Sequence, residues 1–209
     1  MLIPQKEIIQ IWKDHGIEIT GAFHIGAHDC EEMAFYGNVS LTPNDVVWVD
    51  AIPQKVASAI KRGIPNVYHA VVTDKDDEMV TFHVSNNGQS SSVFEFGTHS
   101  VEHPWVVYVE DIVQPTITVD TFFKRNGIDP AKHNFWNFDI QGAELIALKG
   151  ATESLQHAKS LYLEVNETEL YKNCGLIGEI DSFVANYGFR RVLTNMTCHG
   201  WGDALYIRG

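Results

Sequence analysis

The chain has 209 residues, an ordinary apolar content of 44% and a formal net charge of -12, which suits one α/β domain with a full core. Lysine and arginine adjoin only in isolated pairs, Lys61-Arg62, Lys124-Arg125 and Arg190-Arg191, so the basic stripe that phosphate backbones require is missing and no nucleic-acid partner is expected. No apolar run reaches the length of a membrane span and the first residues do not read as a signal peptide, so the expectation is a soluble, cytoplasmic protein.

In chain order, residues 1–18 read as an N-terminal amphipathic helix with Ile8, Ile9, Ile11 and Trp12 along one side. GAFHI (21–25) is a short buried strand entering a tight turn at Gly26-Ala27, and a helix is expected over 31–36. DVVWVD (45–50) is a second buried strand ending in an acid, followed by Pro53 in the first turn of a helix through Ile60. Residues 67–72 (VYHAVV) form a third strand, and 81–84 an edge or hairpin strand. Residues 85–105, opening SNNGQSSS, are too polar for the pattern; a long loop in a compact domain points to an active-site loop. A short strand at 116–119 leads to Asp120, a plausible cap for a helix through Lys124. The apolar run Phe135, Trp136, Phe138 is a strand ending abruptly in Asp139, and a helix carrying Leu145, Ile146 and Leu148 begins about four residues later. A strand at 160–165, a helix at 177–186 and strands at 189–193 and 203–207 complete a single domain over 1–209. Alternation early and a strand pair late predict a mainly parallel sheet with an antiparallel edge.

Three strand ends carry polar groups in the order expected of a ligand site at the switch point of an open α/β sheet. Gly26 lets the backbone approach a ligand, with Glu31 nearby; Asp50 can hold both hydroxyls of a ribose; Asp139 stands with Gln141 and Glu144. Helix capping is the alternative role for Asp50 and Asp139, with Glu144 then on a solvated face. A nucleoside cofactor is the inference. Glu31 and Glu32 would repel the pyrophosphate of a dinucleotide and the full GxGxxG is absent, whereas S-adenosylmethionine has no phosphate and carries a positive sulfonium that acids favour. The ten histidines show no HExxH; His24 and His28 straddle Gly26, and Pro104 directly follows His103, so neither i, i+4 pair shares a helix face. No metal is expected. Cys30, Cys174 and Cys198 form no CxxC, so no zinc knuckle or disulfide framework is indicated.

The run DIQGAELIALKGA resembles the signature of the FkbM family of S-adenosylmethionine-dependent methyltransferases, as do GAHDCEE, NNGQSSS with the HxxxHP element after it, EVNETELY and GWGDALYI. The resemblance implies a class I methyltransferase (Rossmann-like) fold: doubly wound α/β, with a mainly parallel seven-stranded sheet whose last strand is antiparallel. It also implies O-methylation of a sugar or natural product. By position, His24, Gly26, His28 and Glu31 would line the methionine end of the cofactor, Asp50 and Ala51 would meet the ribose, Val72 would border the adenine, and Asp139 would face the reacting centre. Two residues depart from the pattern: His24 stands where an acid is common and Cys30 where a glycine is frequent.

A hydroxyl is a poor nucleophile until a base takes its proton. Asp139 and Glu164 are the leading bases, with His99 and His103 further candidates and Gln141, Asn166 and Ser91 orienting the acceptor. A structural role for Glu164 is an equal alternative, since an acid in an apolar strand needs a partner or a task. The acceptor is read as a small molecule or carbohydrate on which Trp105, Tyr108, Tyr171 or Trp201 could stack; no oligomeric state is implied. Two other readings stay open: an NAD(P)-dependent oxidoreductase, and a non-catalytic binding module with a decayed nucleoside pocket.

Overall fold

The computed structural model describes every residue from Met1 to Gly209. Its main sheet is built from β1 (Ala22–Ile25), β2 (Val46–Asp50), β3 (Val67–His69), β7 (Phe135–Phe138), β8 (Ser160–Asn166), β9 (Phe189–Met196) and β10 (Trp201–Arg208). The order across it is β3-β2-β1-β7-β8-β10-β9. The neighbours from β3 to β8 are parallel, and β10 runs antiparallel to both β8 and β9. The chain winds outward from β1 through β2 to β3, then restarts beside β1 at β7, which places the switch point between β1 and β7. The expected doubly wound, mainly parallel sheet with an antiparallel last strand is what the chain forms. No helix is long and apolar enough to cross a membrane.

Strand periodicity sorts the side chains between two cores. Phe23, Val47, Val49, Trp136, Phe138, Leu161 and Leu163 face a layer that includes residues of α5 (Val119–Asn126), α6 (Glu144–Lys149) and α7 (Ile177–Ala185). Trp48, Phe135, Tyr162 and Leu205 face the other layer with α1 (Gln5–Asp14) and α2 (Met33–Asn38), where Ile8, Trp12, Phe35 and Tyr36 are buried. α1 is laced to that face: the Trp12 indole donates to Ser160 Oγ at 2.9 Å, and the Ile3 amide to the Tyr162 hydroxyl at 3.2 Å.

The sequence reading needs four corrections. The run 67–72 is not one strand: it breaks at Ala70 into β3 and β4 (Val71–Val72), and β4 belongs to a second sheet. That sheet, ordered β4-β6-β5, pairs β5 (Met79–Ser85) with the ten-residue β6 (Tyr108–Ile117), of which only the last residues were expected as strand. Asp120 does not cap α5; Thr118 does, accepting from the Thr121 amide at 3.1 Å, while Asp120 accepts from the amides of Glu153 and Ser154. Glu144 is not on a solvated face but 1% exposed. Its Oε1 accepts from the Ile140 amide at 2.8 Å, so the carboxylate holds the turn after β7.

Candidate active site

A cleft of about 590 Å³ lies over the C-terminal tips of the parallel strands. Its position follows from the alternation. Asp50 lies on the same face as Trp48 and Val46, and Glu164 on the same face as Tyr162; each is the next residue up from an aromatic that seals the core beneath. Asp203 is the cross-strand partner of Glu164, as Leu205 is of Tyr162. The strand tips therefore present acids where the apolar layer stops.

At the β1–β2 end, the Gly26 and Ala27 amides donate to the Val49 carbonyl at 2.9 and 3.0 Å. Gly26 has φ 89° and lies so close to the β7 tip that a Cβ would meet the Asp139 carbonyl oxygen at 1.9 Å. Asp50 accepts from the His28 amide at 2.7 Å and from the Ile52 amide at 2.8 Å. Burial raises its carboxyl above the usual range. Ala51 also lines this end, and its carbonyl accepts from Gln114 Nε2 at 3.0 Å. Val72 lines it from β4, in the second sheet.

His24 sits at the cleft floor, 2% exposed, its Nδ1 2.8 Å from the Tyr36 hydroxyl and its ring against Trp48. Burial lowers its pKa to about 4, so it is neutral. His28 Nδ1 lies 2.8 Å from Glu31 Oε1, and its Nε2 lies 2.8 Å from Lys55 Nζ. His28, Asp29 and Glu31 bring donor atoms within 4.8 Å of one another, but the Lys55 ammonium lies 2.9 Å from Asp29 and already supplies positive charge to that cluster.

In the middle of the cleft, Gln141 joins two acids. Its Nε2 donates to Asp139 Oδ1 and to Glu164 Oε2, each at 2.6 Å, and its Oε1 accepts from the Tyr171 hydroxyl at 2.6 Å. Its backbone is left-handed, φ 57°, and its carbonyl accepts from Ser92 Oγ at 2.8 Å. Asp139 is exposed to the cleft, while Glu164 is 4% exposed. Burial, with the charge of Asp139 next, holds the Glu164 carboxyl well above the usual range.

The far end is walled by the 85–105 segment and by both ends of the chain. His99, in the short helix α4 (His99–Glu102), is 4% exposed, stacks on Phe96 at 4.2 Å and sits 3.3 Å from Ser90 Oγ. Burial, with His103 beside it, lowers its pKa to about 4. His103 lines the cleft as the residue that closes α4, its ring centroid 5.0 Å from that of His99. Ser91 also lines the cleft, but its hydroxyl donates to the Gly88 carbonyl and accepts from the Ser85 amide, which makes it a loop-holding group. Asn166 lies one layer deeper than expected, fully buried and outside the cleft wall. Glu164 Oε1, both amide atoms of Asn166, the Trp201 indole nitrogen and His99 Nδ1 are buried without a protein hydrogen-bond partner.

The structure thus brings the catalytic, cofactor and acceptor candidates except Asn166 to one cleft wall, together with Trp105 and Trp201 but not Tyr108 or Tyr171. It adds Met1, Leu2, Glu32 and Asp203, which were not nominated. The Leu2 amide and the Tyr162 hydroxyl both donate to Asp203 Oδ2, which ties the first residues of the chain to β10. One signal was available: Asp203 interrupts an apolar strand as Glu164 does.

The site suits S-adenosylmethionine. Glu31, Glu32, Asp50, Asp139, Glu164 and Asp203 line it and no lysine or arginine does, a set that favours an ammonium and a sulfonium and disfavours a pyrophosphate. Asp50 would hold the ribose, and the acids around Gly26 and Asp139 the positive end.

The sequence model of the Methyltransferase FkbM domain matches residues 24–191. No curated protein matches the sequence significantly. Among solved structures, the chain is similar to magnesium protoporphyrin IX methyltransferase from Synechocystis PCC 6803 with bound SAM, at 12% identity and a TM-score of 0.44 over 98% of this chain and 79% of that one. It is similar to a SAM-dependent methyltransferase from Aquifex aeolicus at 10% identity and a TM-score of 0.43, over 100% and 91% of the two chains. A SAM-dependent methyltransferase from Bacteroides fragilis in complex with S-adenosyl-L-homocysteine gives 8% identity and a TM-score of 0.44, over 99% and 83%.

Proposed function

The chain belongs to the FkbM family of methyltransferases and uses S-adenosylmethionine; on that premise we propose that it methylates a hydroxyl of a carbohydrate or glycosylated natural product. The observation that carries this reading is the set of buried, unpartnered polar atoms at the far end of the cleft. In the cleft wall the Trp201 indole offers a donor and Glu164 an acceptor, and Trp201, His103 and Trp105 supply aromatic surface, with the unpartnered Asn166 amide buried one layer behind them. Donors, acceptors and ring faces together match a neutral, hydroxyl-rich molecule. The lack of any lining lysine or arginine disfavours a phosphorylated one.

When bound, S-adenosylmethionine supplies an activated methyl group open to in-line attack by the hydroxyl oxygen. The chain's own residues have two tasks. Alignment of the acceptor falls to Trp201 and the rings around it, with Asn166 behind them, because displacement at carbon depends chiefly on geometry. Removal of the hydroxyl proton falls to the acids joined by Gln141, a contribution of about a hundredfold or more. Tyr171 fixes the Gln141 amide so that its N–H groups, not its carbonyl, face both carboxyls.

The test is methyl transfer from isotopically labelled S-adenosylmethionine to a panel of sugars and glycosides, with the product site read by NMR. A methyl ether on a hydroxyl is the expected product; methylation at nitrogen or carbon would overturn the reading. Asp139→Asn and Glu164→Gln should both keep cofactor binding, and the variant that removes the base should lose at least about 99% of turnover. Full activity in both variants would remove the acids from the mechanism.

A further inference from the structure

Asp139 and Glu164 approach each other from the tips of β7 and β8 and share the single amide nitrogen of Gln141 at 2.6 Å each. Two carboxylates held on one amide nitrogen repel each other, and the charge of Asp139 is, after burial, what raises the Glu164 carboxyl. Glu164 Oε1 has no partner in the protein and is buried at the cleft wall. The groups facing the pair do not relieve it. Glu144 at the start of α6, Asp203 on β10, Glu32 before α2 and the Tyr171 hydroxyl are acids, and His24 on β1 is neutral. The amino-terminal charge faces Asp203, Glu32 and His24.

We propose that Asp139 and Glu164 act as one base that holds a shared proton in the empty cleft, expels it when the sulfonium arrives, and takes up the acceptor's proton as that positive charge disappears. This rests on the cofactor reading above. With the adenosine held at Asp50 and the acceptor at Trp201, both on the wall of this cleft, the sulfur would lie against this pair. In the transfer the hydroxyl oxygen forms its bond to the methyl carbon, and the carbon–sulfur bond breaks with its electron pair left on sulfur. The hydroxyl proton passes to the carboxyl pair. The pair is a weak base while a cation faces it and a stronger one once sulfur is neutral, so its proton affinity rises as the acceptor's proton leaves.

Calorimetric titration at pH 7 in buffers of different ionisation enthalpy tests this without turnover. S-adenosylmethionine should release about one proton on binding, and S-adenosylhomocysteine, whose sulfur is uncharged, several-fold less. Glu164→Gln should bind S-adenosylmethionine with the release abolished. Asp139→Asn, a change at an exposed position, serves as a second variant and should reduce it. Equal release for the two ligands, no release with S-adenosylmethionine, or release unchanged in both variants would overturn the proposal. Failure of either adenosyl compound to bind would instead overturn the cofactor reading on which it rests.

Discussion

At the β1–β2 end of the cleft, Asp50 has both carboxylate oxygens on backbone amides, and His28, Glu31, Asp29 and Lys55 close on one another. At the β8–β10 end, Glu164 Oε1, the whole Asn166 amide, the Trp201 indole and His99 Nδ1 have no protein partner. A buried polar group left unpaired costs about 1–3 kcal/mol. The first end is therefore set before any ligand arrives. The second is kept at the expense of stability and is completed only by what binds there, so one end resembles a socket and the other an unfinished network.

Breaking the first end should have the largest effect. Gly26→Val places a β-branched side chain at φ 89° with its Cβ 1.9 Å from the Asp139 carbonyl oxygen, so β1 and β7 must part; a loss of more than about 4 kcal/mol and of all cofactor binding is expected. Chemical denaturation and a thermal shift with S-adenosylhomocysteine would check it, and a folded, binding variant would show that the tight approach is dispensable.

The acids between the two ends should set the pH dependence. Burial raises the Glu144 carboxyl to about 8, with Glu164 shifted the same way. Both bind protons more tightly in the folded state, so their contribution is present at low pH; that of Glu144 is lost as pH climbs from about 4.5 through 8, and that of Glu164 is lost in the same direction above about 4.5. His24 and His99, lowered to about 4 by burial, act oppositely: folding gains stability as pH rises from about 4 to 6.5. Stability should therefore peak near the crossing and fall by a few kcal/mol towards pH 8. Glu144→Gln should flatten the upper limb while keeping an acceptor for the Ile140 amide. An unchanged slope would place the alkaline loss elsewhere.

The smallest effect should have an unusual sign. Asn166→Leu replaces an unpaired buried amide by an apolar group with the same heavy-atom count and branching, so a gain of up to about 1 kcal/mol is expected together with a several-fold higher KM for the acceptor and an unchanged cofactor Kd. A loss of stability would mean that the amide is already satisfied and that the contrast between the two ends is weaker than drawn.

Much of the first end was legible in the sequence because it is local. A strand, a glycine or acid at its tip and a following helix are all read within about ten residues, which suffices for Gly26, Asp50 and Asp139. The second end was only partly legible because it depends on register. Asp203 meets Glu164 through antiparallel pairing of strands far apart in the chain, and Leu2 reaches Asp203 from the opposite terminus. Tyr171 was visible as an aromatic residue but not as the group that orients Gln141. The second sheet was missed for a different reason. On β6 the outward positions Val109, Asp111, Val113 and Pro115 mix apolar, charged and proline residues, while Gln114 and Thr116 are buried, so the usual apolar-in, polar-out alternation is inverted in places. The alternative of a solvated face for Glu144 rested on an acid in the first turn of a helix being commonly exposed; here it reaches back to hold the turn that precedes it.

The position of β10 between β8 and β9 has a consequence for how the protein is made. Both neighbours precede it in the chain, so during vectorial synthesis β9 emerges with no strand beside it and the β8 edge stays open. Trp201–Arg208 pairs with β9 across a four-residue turn, and the gap closes when it also pairs with the β8 edge, a late, non-local step of the kind that slows folding and exposes strand edges to other chains. That same insertion delivers Asp203 to Glu164 and to Leu2, so the far wall of the cleft is assembled last, in the event that also seals the sheet.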